Sequence, residues 1–66
     1  MNISINGEQR PFEGITTLAD LVEALELADR RIAVEVNEAL VPRAEHGLYT
    51  LEDGDRVEIV HAIGGG

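Results

Sequence analysis

The residues that could do chemistry in this 66-residue chain lie at one end of it. Gly64, Gly65 and Gly66 close the sequence, so the last α-carboxylate sits on an arm without a single Cβ. Three extended residues reach about 10 Å, at roughly 3.3 Å each. Lacking side chains, they can enter a tunnel too narrow for other residues. A carboxylate is inert at neutral pH, but as an acyl-adenylate its carbonyl becomes open to attack. The chain has no glycine-rich phosphate loop with its lysine. ATP and Mg2+ must therefore come from a partner, and no cofactor is expected on the chain itself.

Other chemistry is excluded by composition. There is no cysteine, hence no disulfide, no thiolate metal site and no thiol or persulfide of its own. The two histidines, His46 and His61, stand alone and make no metal cluster. The acidic turn Leu51-Glu52-Asp53-Gly54-Asp55 lacks the longer run of spaced oxygens and the distal glutamate of a calcium loop. No nucleophile–histidine–acid set has a third member. The expectation is a non-catalytic protein whose reactive atom belongs to Gly66, with Gly64 and Gly65 as the access arm. Terminal glycines are also what a frayed end looks like, but these follow directly on a strong strand.

Charge narrows the partners. Thirteen acids against five bases give a net charge of −8. That argues against nucleic acid and anionic membrane and favours a basic protein. All five bases are arginine, so the chain offers no ε-amine for a Schiff base or an isopeptide bond. The face of the sheet away from the helix, together with Glu52, Asp53, Asp55 and Glu58, is the candidate docking surface for a basic partner, with His61 beside the arm. No apolar run approaches a membrane span and no basic-then-apolar leader opens the sequence. The chain reads as a complete cytoplasmic protein starting at Met1, and as a monomer when free.

Something must hold the arm. Sixty-six residues allow one small domain, here residues 1–63, with 64–66 as a tail. Met1, Ile3 and Ile5 alternate with polar residues as a half-buried strand does. Asn6-Gly7 suits both positive-φ positions of a type I′ turn. The returning arm, about 8–13, carries Pro11 and so belongs at a sheet edge. Thr17 with Asp20 reads as a capping box, Thr16 being the other candidate cap. Leu18, Leu21, Val22 and Leu25 then share one face of a helix of two to three turns.

Beyond the helix, Ile32, Val34 and Val36 mark a third strand, and Leu40-Val41 a short extended piece before Pro42. Residues 43–47 read as loop, with Leu48, Tyr49 and Leu51 as a short turn or 3-10 segment plugging the core. The last strand carries Val57, Ile59, His61 and Ile63 on one face. Val60 and Ala62 on the other suggest burial on both sides and a central place. The economical arrangement is α+β: a mixed four- to five-stranded sheet packed on one main helix, with the first and last strands adjacent. That is the β-grasp layout of ubiquitin-like proteins.

The whole chain resembles the sulfur carrier proteins of thiamin biosynthesis, a ubiquitin-like family. The resemblance rests on Ile3 with Asn6-Gly7, Thr17-Leu18-Ala19-Asp20-Leu21, and Ala33-Val34-Glu35-Val36-Asn37 followed by Val41-Pro42-Arg43. It continues through residues 51–59 to Gly65-Gly66. It implies that the Gly66 carboxylate is adenylated by an activating enzyme related to the ubiquitin-activating enzymes (E1-like). Persulfide sulfur, from a donor such as a cysteine desulfurase, then displaces AMP. The thiocarboxylate delivers sulfur to thiazole synthase. Some members carry alanine where Gly64 stands. The small subunit of molybdopterin synthase shares this fold and tail but tends to have an aromatic residue just before the glycine pair, where Ile63 lies. The same residues would also serve a ubiquitin-like protein modifier or a plain β-grasp binding module.

Overall fold

The computed structural model describes residues 1–62. Five strands form one sheet: β1 (Asn2–Ile5), β2 (Glu8–Pro11), β3 (Ile32–Val36), β4 (Ala39–Leu40) and β5 (Arg56–His61). They are ordered β2-β1-β5-β3-β4. β1 and β2 form an antiparallel hairpin, with Ile5 opposite Glu8. β5 lies between β1, parallel to it, and β3, antiparallel to it. The helix α1 (Leu18–Ala24) covers one face. This is the β-grasp arrangement, with Pro11 on the edge strand where its missing N–H costs no ladder bond.

Local rules explain the elements. Asn6 (φ 50°) and Gly7 (φ 86°) both take the left-handed conformation that a type I′ hairpin demands. Thr17 is the helix cap: the Asp20 N–H donates to its Oγ1 at 3.2 Å, and Thr17 N–H donates back to Asp20 Oδ2 at 2.9 Å. Thr16 N–H also donates to that oxygen, at 3.0 Å. These backbone donors, Thr17 first, hold the Asp20 carboxyl below its ordinary pKa of 3.8. Ile3, Leu18, Leu21, Val34, Val36 and Val57 are completely enclosed between helix and sheet. Among the described residues no helix is long and apolar enough to cross a membrane.

Two expectations need correcting. Residues 43–47 are not loop, for a 3-10 helix spans Arg43–Leu48. Leu48, at its end, is 83% exposed, while Leu51 is buried. The core plug is therefore Leu51 with half-buried Tyr49. Chain 49–51 runs extended past the helix entrance, Leu18 N–H bonding the Tyr49 carbonyl and Leu51 N–H the Thr16 carbonyl. Secondly, β5 is central but buried on one face only. Val60 is 64% exposed and Ala62 is exposed too, because α1 packs on the Val57 and Ile59 side only.

Two glutamates occupy left-handed positions. Glu26 (φ 61°) follows the helix, with its own N–H on the Glu23 carbonyl and Leu27 N–H on Val22, which is a Schellman ending. Glu38 (φ 71°) follows Asn37 (φ 51°) in the β3–β4 hairpin. A side chain there costs about 1–2 kcal/mol, part of which glycine would give back as unfolded-chain entropy. Glu26→Gly and Glu38→Gly should each stabilise the protein by about 0.5–1 kcal/mol, raising Tm by about 2–8 °C. Thermal unfolding followed by circular dichroism checks this, and a lowered Tm in both variants would contradict it.

Candidate functional site

The glycine arm leaves from β5, so the site is built from what fixes that strand. At its start, the turn 52–55 is tied to both neighbours. Asp55 is 9% exposed, and its carboxylate accepts from Glu52 N–H at 2.8 Å and from Asn37 Nδ2 at 3.0 Å. Asn37 Oδ1 in turn accepts from Arg56 N–H at 3.0 Å. Asp53 Oδ1 accepts from Asn2 N–H, and Gly54 N–H donates to the Asn2 carbonyl. Asp55 therefore builds the turn and offers no free carboxylate for docking, contrary to its place among the docking candidates.

The other end of β5 is held differently. β1 pairs with β5 only through Ser4–Arg56 and Ile5–Val57, after which the chain turns away at Asn6. Ile59 would then face the vacated edge with both backbone groups unpaired. The Asn6 side chain meets both: Oδ1 accepts from Ile59 N–H at 2.7 Å, and Nδ2 donates to the Ile59 carbonyl at 3.2 Å. A carboxamide has the donor and acceptor of a peptide group, so Asn6 continues the ladder one step beyond its own strand. On the opposite edge Ala62 N–H donates to the Arg31 carbonyl at 2.9 Å. Ile63, Gly64, Gly65 and Gly66 lie outside the described residues.

The face of the sheet away from the helix is open. Val60 lies opposite Ala33, Glu58 opposite Glu35, and Glu35 opposite Leu40, which is 64% exposed. Like charges directly across strands are destabilising, so the Glu35–Glu58 pair is a local cost on an exposed face. Of the expected docking residues, only Glu58 belongs to this face. Glu52, Asp53 and Asp55 lie before β5, about 20 Å from its far end at roughly 3.3 Å per residue. His61 is exposed at the far end, in a side-chain register with Ile59 and Val57. The outward sheet face is an expected docking surface, but Glu35, Ala33, Val60 and Leu40 were not named on it. The outward positions of two alternating strands were legible, but their pairing register was not. His46, buried, has Nε2 3.0 Å from the Val41 carbonyl and is a structural residue.

The profile of the ThiS family matches residues 3–66. The chain belongs to the ThiS family. A crystal structure of a thiamine biosynthesis protein (ThiS) from Geobacter metallireducens superposes with a TM-score of 0.85 at 32% identity, covering all of both chains. The ThiS sulfur carrier protein of Thermus thermophilus is 39% identical over 94% of this chain and 95% of its own. A thiazole synthase from Magnetococcus marinus is 44% identical over all 66 residues, and the match spans 20% of that protein. Within the ThiS fold seen here, Asn6 is the side chain that secures the strand leading to the glycines.

Asn6→Gly keeps the left-handed turn and removes only the side-chain amide. Leaving two part-buried backbone groups of Ile59 unpaired should cost about 1–3 kcal/mol. Urea unfolding measures this, and a loss below a few tenths would show that the clamp contributes nothing.

Proposed function

We propose that the chain is a sulfur carrier of thiamin biosynthesis whose modified group is the Gly66 carboxylate. The observation that supports this most is full-length membership of the ThiS family on a β-grasp domain whose central strand leads to the three glycines. An E1-like activating enzyme holding ATP and Mg2+ receives the arm. The carboxylate attacks the α-phosphate and releases pyrophosphate. The terminal sulfur of a persulfide donor such as a cysteine desulfurase attacks the acyl-adenylate and displaces AMP. A thiol then cleaves the S–S bond of the acyl disulfide, leaving as a disulfide with the donor's sulfur. The thiocarboxylate so released is carried to thiazole synthase. The segment 44% identical to this chain within a thiazole synthase supports that last partner. The chain is a carrier and substrate, working in the cytoplasm, and supplies no acid, base or nucleophile beyond its own carboxylate.

The open sheet face suits the activating enzyme. Val60, Ala33 and Leu40 provide apolar contact, and Glu35 with Glu58 provide a doubled negative charge that a basic partner relieves. A surface pair that lowers stability is retained most simply where a partner neutralises it.

Deleting Gly66, or replacing Gly65 by leucine, tests the arm directly. Each change should cut ATP–pyrophosphate exchange by the activating enzyme about 100-fold or more, since a misplaced reacting group costs that much. Tm should stay within a degree or two of wild type. Undiminished exchange with either variant would sink the reading.

A further inference from the structure

The cations of this acidic chain are not evenly spread. Arg30, Arg31 and Arg43, three of its five, line one groove together with Asp29, Ile32 and Ala62. The groove abuts the point where the described chain ends, since Ala62 N–H is bonded to the Arg31 carbonyl. Arg43 is fixed in place: Nη1 donates to the Ala28 carbonyl at 2.8 Å and Nη2 to the Arg30 carbonyl. A guanidinium has five N–H donors, so those two bonds leave three for another acceptor. Arg30 and Arg31 are exposed. Asp29 is the single acid of the lining, so twelve of the thirteen acids lie elsewhere in a chain of net charge −8. On the helix side, Glu23, Glu26 and Asp29 adjoin Arg30 and bound the cationic zone.

We infer that this groove docks an acidic segment of the protein that receives the tail, with carboxylates of that partner seated on Arg30, Arg31 and Arg43. The inference rests on the sulfur-carrier reading. A partner admitting residues 64–66 to a depth of about 10 Å must press against the root of the arm, and the root is where the arginines converge. A basic surface, which suits Glu35 and Glu58 on the sheet face, would be repelled there. An acidic rim is attracted, and arginine pairs with carboxylates in a directed two-pronged geometry. The carrier then presents opposite signs at two places, and the arrangement fixes how it is oriented as the tail enters.

The double variant Arg30→Glu/Arg31→Glu tests this and spares Arg43, which ties the loop. Binding to purified thiazole synthase from the same organism is measured by calorimetry at low and at physiological salt. The full chain and a chain ending at Ile63 are compared, each with its Tm. The inference expects dissociation constants raised at least tenfold at low salt, a difference that shrinks with added salt, and an unchanged Tm. It also expects the arginine dependence to persist without the glycines. Equal affinity of variant and wild type overturns it. So does a dependence that vanishes in the shortened chain, which would assign the groove to the protein's own terminal carboxylate. A wild-type chain that binds neither thiazole synthase nor the activating enzyme would instead overturn the carrier reading, and the groove inference with it.

Discussion

A two-step parallel ladder is the constraint on which this molecule depends. β5 must sit between β1 and β3, yet β1 gives it only the Ser4–Arg56 and Ile5–Val57 pairs before turning back into its hairpin. The Asn6 amide bonding both backbone groups of Ile59 lengthens that support without lengthening the strand. Asn37 does the corresponding work at the other end, bonding Arg56 N–H and the Asp55 carboxylate. Both asparagines stand at the first left-handed position of a hairpin, so one residue type serves the turn and the strand beside it. With β5 fixed at both ends, Val57 and Ile59 seal the core, and whatever follows Ala62 starts from a defined place.

Much of this was legible because the rules involved are local. Asn6-Gly7 and the Thr17–Asp20 box read directly, as did the 2-residue and 3.6-residue apolar periods. Asn37-Glu38 takes the same pair of positive φ values as Asn6-Gly7, but glutamate at the second position hides the turn. The 3-10 segment was expected a few residues too late, at 48–51 rather than Arg43–Leu48, since no periodicity fixes the bounds of so short an element. The dual role of the asparagine amides depends on strand register across 53 and 18 residues of sequence, which no local pattern carries.

The candidate docking surface was legible only in part, for a related reason. Of the acids grouped with the sheet face, Glu52, Asp53 and Asp55 lie in the turn before β5, where Asp55 is consumed by the turn itself, and Glu58 alone lies on the face. Register instead sets Glu58 against Glu35 beside Val60, Ala33 and Leu40. Net charge gave the dominant sign and concealed the arginine groove at the arm's root. In the proposed cycle the carrier meets more than one partner, and an acidic sheet face with a basic groove would give each a distinguishable surface around one reactive end.

The central claim is that sulfur is carried on the last glycine. Intact mass should be measured after incubating the chain with ATP, Mg2+, the activating enzyme, a cysteine desulfurase and cysteine. The predicted result is one oxygen replaced by sulfur, with fragmentation placing the change at Gly66. An unchanged mass, with the same enzymes shown to load another carrier, would contradict it.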